Sequence, residues 1–304
     1  MPDTAGRRLP ATALLAALGA NLLLGPLALV GSAVRAQDAG LLLLPPPPPA
    51  PQSLRGSDSL TGPRSRLGRD WVGLRPLPPD TPILVMAGHA DSQNMAGAGT
   101  SGEAVGLRGA AAMYPGITDE LYWAMVIATA VERLGQERGL NIRYYRPPWR
   151  TIADGNAPGT NWSEGRDHVA AGGYALEIHF DAYGGDGIGS GLIPPVTAPN
   201  SLLDEALASE FGGYPRTYRD ILGGPKRGIA LLEIGKLEGT LEASLRNPAT
   251  RDQTVQIIAG RVVRALEAGL GRSGQATSVR PVLPSEPPPQ RGPSTADSGR
   301  WAFQ

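Results

Sequence analysis

Two of the three histidines in this 304-residue chain stand where short apolar runs end. His89 follows Pro82-Ile83-Leu84-Val85-Met86-Ala87-Gly88, and His179 lies in Glu177-Ile178-His179-Phe180-Asp181 at the end of a run that starts at Tyr174. Glu233 sits inside a third run, Leu231-Leu232-Glu233-Ile234-Gly235, and Glu120 falls in the first turn of a helix-like segment. Burying an unpaired carboxylate in an apolar strand costs on the order of several kcal/mol, so these acids need a cation, a hydrogen-bond donor or a metal. Two imidazoles and one carboxylate make a three-ligand zinc site with a fourth position open, and a separate carboxylate beside it could act as base. That is the equipment of a metal-assisted hydrolysis. There is no cysteine, so thiolate metal sites, disulfides and cysteine nucleophiles are all excluded. The four groups are far apart in sequence and form no local motif of the H-E-x-x-H kind, so the fold has to assemble them.

The elements that would do so are legible in the middle of the chain. The runs at Pro82–Ala87, Tyr174–Phe180 and Ile229–Ile234 are ended by Gly or polar residues and suit strands buried on both faces. From Asp119 to Arg138, Leu121, Met125, Ala128, Val131 and Leu134 share one helical face, with Thr118 as cap and Gly139 as stop. Leu202–Phe211 and Thr254–Leu270 read as further amphipathic helices. Strands alternating with helices predict an α/β fold, a single domain over 79–270 whose mostly parallel twisted sheet is covered by helices on both faces. In such a sheet, ligands gather at the carboxyl ends of the strands, where His89 and His179 fall.

The ends read differently. The chain carries 41 Gly and 30 Pro, too many for one compact domain, and the prolines concentrate outside the central segment. Arg7 and Arg8 precede an apolar run from Leu9 to Val34 that ends in Val34-Arg35-Ala36, so residues 1–36 read as an export signal or a membrane anchor, with the Arg pair allowing a twin-arginine route. Residues 37–78, which include LLLLPPPPPAPQ, read as a Pro-rich linker, and 271–304 as a disordered tail. Lys and Arg number 28 against 28 Asp and Glu, a balance that argues against nucleic-acid binding by charge neutralisation.

A Gly-His after the first strand, a Glu opening the next long helix, an Ile-His strand and a late Leu-Glu-Ile-Gly strand, in this order, resemble the zinc-dependent N-acetylmuramoyl-L-alanine amidases of the type 3 cell-wall amidase family. The resemblance spans roughly Pro82 to Leu270. It implies His89, Glu120 and His179 as ligands of a Zn2+ ion and Glu233 as catalytic base and acid. It further implies peptidoglycan or muropeptides as substrate, cleaved between muramic acid and L-alanine by a metal-activated water, and a periplasmic or membrane-anchored location facing the cell wall. This chain departs from the family at Ala90-Asp91, where Gly-Gly is usual, at Glu177 and Asp181, where Ser and Asn are usual, and at Lys236 in place of Phe. Period-two alternation puts Glu177 on the strand face of His179, so Glu177 or Asp181 could orient a ligand or change the charge that substrate meets. A cation at 236 could contact a substrate carboxylate or face solvent. Two alternatives stay open: a zinc carboxypeptidase-like hydrolase of another peptide or amide, which the acidic and Lys departures favour, and a cell-wall-binding module without turnover.

Three further motifs are read as bland. Gly97-Ala98-Gly99-Thr100-Ser101-Gly102 spells G-x-G-x-x-G, but neither follows a strand directly nor opens a long helix, as a dinucleotide site requires. Asn161-Trp162-Ser163 matches a glycosylation acceptor by chance, within a stretch, Ala157–Gly165, expected to be a substrate-lining loop that uses Trp162 and, from nearby, Trp149. His168 is expected at the surface or rim.

Overall fold

In the computed structural model, residues 56–151 and 154–272 are described. The expected leader at 1–36, the proline run and the tail beyond residue 272 lie outside them. The described chain opens with a small hairpin, β1 (Ser57–Asp58) with β2 (Gly62–Pro63). The main sheet has β3 (Ile83–Ala87), β4 (Ile142–Tyr145), β5 (Tyr174–Asp181), β6 (Gly191–Ile193) and β7 (Ile229–Lys236) in the order β4-β3-β5-β7-β6, parallel except for β6 at one edge. The three runs picked out for their apolar continuity are the three central strands, as burial on both faces demands. β4 and β6 escape the pattern for physical reasons. Edge strand β4 alternates buried and open positions over only four residues, and β6 is three residues long.

Among the described residues six α-helices complete the order: α1 (Gly102–Gly106), α2 (Asp119–Glu137), α3 (Asn161–Ala170), α4 (Leu202–Phe211), α5 (Gly239–Arg246) and α6 (Arg251–Gly269). One sheet face, with Val85, Ile178, Phe180 and Leu232, packs into the main core with Leu121, Trp123 and Ile127 of α2, Leu207 and Phe211 of α4, and Ile258, Val262 and Leu266 of α6. The opposite face, with Leu84, Met86, Ala175 and Ile229, is covered by Trp162 and Val169 of α3. Helices therefore lie on both faces. Farther along this second face, the hydrophobic cover is a loop with 3-10 turns at Tyr218–Asp220 and Pro225–Arg227, where Tyr218 and Leu222 pack on Ile193, Tyr214 and Leu231.

Two expectations need correction. The stretch Ala157–Gly165 is not a loop throughout, because α3 begins at Asn161. The Thr160 hydroxyl accepts from Ser163 N while the Ser163 hydroxyl accepts from Thr160 N, a reciprocal cap that starts the helix without an apolar stripe. Gly165 lets this helix lie close to the sheet, since a Cβ there would sit 2.5 Å from Ile229 Cδ1.

The described part of the expected linker, from residue 56 to 78, packs on the domain instead of hanging free. Trp71 is only 6 % exposed and its indole N–H donates to Tyr214 O at 2.8 Å. Arg69 forms a two-pronged ion pair with Glu205 at 2.9 and 2.6 Å, and Leu74 N donates to Asn200 O. An indole, a guanidinium and backbone bonds supply these attachments, which composition averaged over the stretch conceals. Replacing Trp71 by Ala should lower folding stability by about 3 kcal/mol or more in urea unfolding. An unchanged midpoint would return the segment to linker status. No described helix is long and apolar enough to cross a membrane.

Candidate metal centre

The carboxyl ends of β3 and β5 and the start of α2 converge on one point. His89 follows β3 with a left-handed backbone, φ +62°, unusual for a residue with a Cβ. The turn that holds it is pinned by Gln93, almost fully buried, whose amide nitrogen donates to His89 O and Ala98 O, each at 3.0 Å, and whose oxygen accepts from Thr118 N at 2.9 Å. Gln93 thus ties the His89 turn to the cap of α2. Gly88 matters for a different reason: a Cβ there would lie 2.3 Å from His179 Cε1, so the two histidines can adjoin only because residue 88 has none.

Glu120 stands in the first turn of α2 and is 3 % exposed. Its Oε1 lies 3.3 Å from His89 Nε2 and 3.2 Å from His179 Nδ1, while Oε2 accepts from Thr100 N at 2.7 Å. One ligand atom from each of His89, Glu120 and His179 falls within 4.8 Å of the others. The imidazoles meet edge to face, with centroids 4.9 Å apart. The glycine-rich loop borders this site. Gly99 leaves room for Glu120, whose Oε2 would be 2.8 Å from a Cβ at 99.

Glu233 pairs in register with His179 across the parallel ladder between β5 and β7. Its Oε2 is buried and has no hydrogen-bond partner among the described residues. Burial is the main force on its proton, and together with the nearby acids Glu120 and Asp181 it outweighs His179 and pushes the carboxyl up to about 8. Glu120 moves the other way. Burial opposes its charge, but His89 and His179 hold its carboxyl well below the usual range. His179 loses stability as an imidazolium through burial, yet Glu120 and Glu177 raise its pKa overall. Neighbouring acids therefore divide into one held ionised and one that favours its proton, as acid-base chemistry requires. Two nitrogens and an oxygen gathered around one point, beside an orphaned buried carboxylate oxygen, suit a zinc ion.

No protein-family model matches the sequence, and no curated protein matches it. Solved structures do. The apo form of the N-acetylmuramyl-L-alanine amidase Ami1 from Mycobacterium abscessus is similar over 62% of this chain and 98% of its own, at 16% identity and a TM-score of 0.42. The catalytic domain of CwlV, an N-acetylmuramoyl-L-alanine amidase from Bacillus (Paenibacillus) polymyxa var. colistinus, is similar over 63% of this chain and 99% of its own, at 13% identity and a TM-score of 0.41. For the N-acetylmuramoyl-L-alanine amidase AmiC2 of Nostoc punctiforme the values are 63%, 98%, 13% and 0.40.

Two hollows flank the histidine pair. One, of about 450 Å³, is lined by Glu120, Glu233, Asp186, Tyr183 and Arg219. The other, of about 340 Å³, is lined by Trp162, Met95, Leu222, Leu231, Asp91 and Glu177. Arg219 was not singled out from sequence. It stands in a run of three left-handed residues, Arg219, Asp220 and Ile221, with φ of 48°, 55° and 67°, and no sequence pattern announces such a backbone.

The remaining candidates are accounted for by local bonding. Asp181 spends its carboxylate on the backbone amides of Ala182, Ile188 and Gly189 and so shapes the turn after β5. Lys236 pairs with Glu238 at 2.7 Å. Asp119, next to Glu120, turns away to Arg246 and Met113 N. His168 lies in the last turn of α3 with Nε2 3.0 Å from Pro82 O, at the opposite end of the sheet. Asn161 is fully buried, with its side-chain nitrogen donating to Ala87 O and Glu177 Oε1, so it cannot accept a glycan. Trp162 lines a hollow as expected, whereas Trp149 is exposed outside both.

Proposed function

We propose that this protein is a zinc-dependent amide hydrolase that cleaves the N-acetylmuramoyl-L-alanine bond of peptidoglycan, with His89, Glu120 and His179 holding the metal. The observation that carries this reading is the convergence of His89 Nε2, Glu120 Oε1 and His179 Nδ1, with Glu233 in register beside them. When bound, zinc supplies Lewis acidity, which polarises an amide carbonyl and brings water's pKa from about 16 to near 7. Glu233 takes the proton of the attacking water and returns it to the leaving amine. Its buried, unpartnered oxygen suits both halves of that transfer. Arg219 brings a guanidinium to the same hollow, where it would meet an anionic part of the substrate. The order of the site residues resembles the type 3 amidases, and the Arg7-Arg8 leader would export the chain to the wall. The carboxypeptidase-like alternative drew in part on Lys236, which is occupied by Glu238.

The test is metal analysis of the purified protein together with release of stem peptides bearing a free L-alanine amine from isolated peptidoglycan. About one zinc per chain is expected, with release stopped by a chelator and restored by zinc. Metal without release of such peptides would overturn the substrate, and release insensitive to chelation would overturn the mechanism. Gly88→Ala supplies a sharper probe of geometry. Its Cβ would displace the His179 ring, so zinc affinity should fall by roughly tenfold or more in competition with a chromophoric chelator.

A further inference from the structure

Glu177 is a buried acid that the hydrolytic reading leaves unused. It is 3 % exposed and lies two residues before His179 on the same face of β5. Its Oε1 accepts from Asn161 Nδ2 at 3.0 Å, and the same nitrogen donates to Ala87 O at 2.7 Å. Asn161 is itself held at the start of α3, where its backbone N–H donates to Asp91 Oδ2 at 2.7 Å. The carboxylate is therefore fixed from the side of β3 and α3. Its Oε2 faces His179 Nε2 at 3.5 Å, and that nitrogen is buried with no hydrogen-bond partner among the described residues. The other ring nitrogen, Nδ1, faces Glu120. His89 is arranged in parallel but more weakly, with Nε2 toward Glu120 and Nδ1 3.4 Å from the hydroxyl of Ser92.

We propose that Glu177 is a positioning residue: it accepts the Nε2 proton of His179 and so turns an unprotonated Nδ1 toward Glu120 and His89, where the metal would sit. The inference rests on the metal reading of the site. A neutral imidazole carries one proton, and its second partner decides which nitrogen keeps it. Both ring nitrogens face carboxylates, which can only accept, so with Nδ1 given over to the metal the one proton sits on Nε2, where Glu177 takes it. An amide in its place could donate to Nε2 and drive the proton to Nδ1, the atom the metal needs. The expected cost is that of losing an outer partner of a ligating histidine, about 10- to 100-fold in metal affinity.

The test uses the purified protein, stripped of metal and titrated with zinc against a chromophoric chelator. Glu177→Gln keeps the volume and an acceptor for Asn161, and should bind zinc about 10- to 100-fold more weakly than wild type. A parallel measurement needs no variant. In zinc-loaded wild type with 15N-labelled histidine, NMR should show His179 protonated at Nε2 and metal-bound through Nδ1. Glu177→Gln within about twofold of wild type, or the opposite tautomer, would overturn the role of Glu177 while leaving the metal centre standing. A wild-type protein that takes up no zinc would overturn both.

Discussion

Glu233→Gln should lower turnover by about 10²- to 10⁴-fold while zinc stays bound at wild-type stoichiometry. The substitution keeps the shape of the side chain and removes only its capacity to take and return a proton. Glu233 is not among the three groups whose ligand atoms converge, so nothing in the metal's hold should change. The measurement is kcat on a muropeptide alongside metal content of the same preparation. A variant that loses zinc together with activity would make Glu233 a ligand, and one that retains activity would remove it from the mechanism.

His179→Ala should lose both zinc and activity, and it should also weaken the metal-free fold. The imidazole stands between two buried carboxylates, with Nδ1 3.2 Å from Glu120 and Nε2 3.5 Å from Glu177. Removing it strips both of their shared partner, a loss of about 3–5 kcal/mol on the scale of broken buried ion pairs. His89→Ala offers the contrast. His89 is more exposed and faces only one of these acids, so its removal should abolish zinc binding with a smaller loss of stability. Urea unfolding of both variants without metal decides the point. Equal stabilities would mean that His179 does not bridge the two acids.

The sequence made the central strands visible because they are buried on both faces and so need no polar alternation. It made α2, α4 and α6 visible because each buries a stripe against one core. Helix α3 stayed hidden because a cap and one glycine position it, and the segment from 56 to 78 because isolated side chains and backbone bonds without a periodic pattern attach it. The group of His89, Glu120 and His179 could be named from residue type and position after a strand or at a helix start. Which acids face which neighbours could not. Strand alternation put Glu177 on the face of His179, which it meets, but nothing in the sequence showed that Asp181 holds a backbone turn or that Lys236 pairs with Glu238. Arg219 depended on loop geometry that nothing local encodes.

The ladder between β5 and β7 is regular as far as His179 opposite Glu233, and then slips so that Asp181 meets Lys236. This irregularity makes the two sides of Glu233 unequal toward changes in chain length. Deleting one residue from Ile229–Leu232 would invert the pleat and carry the acid to the wrong side of the sheet. Deleting one residue between Glu233 and Lys236 would merely iron out the bulge and leave Glu233 in phase with His179. Length variation is thus forbidden on the approach to Glu233 and forgiven just past it.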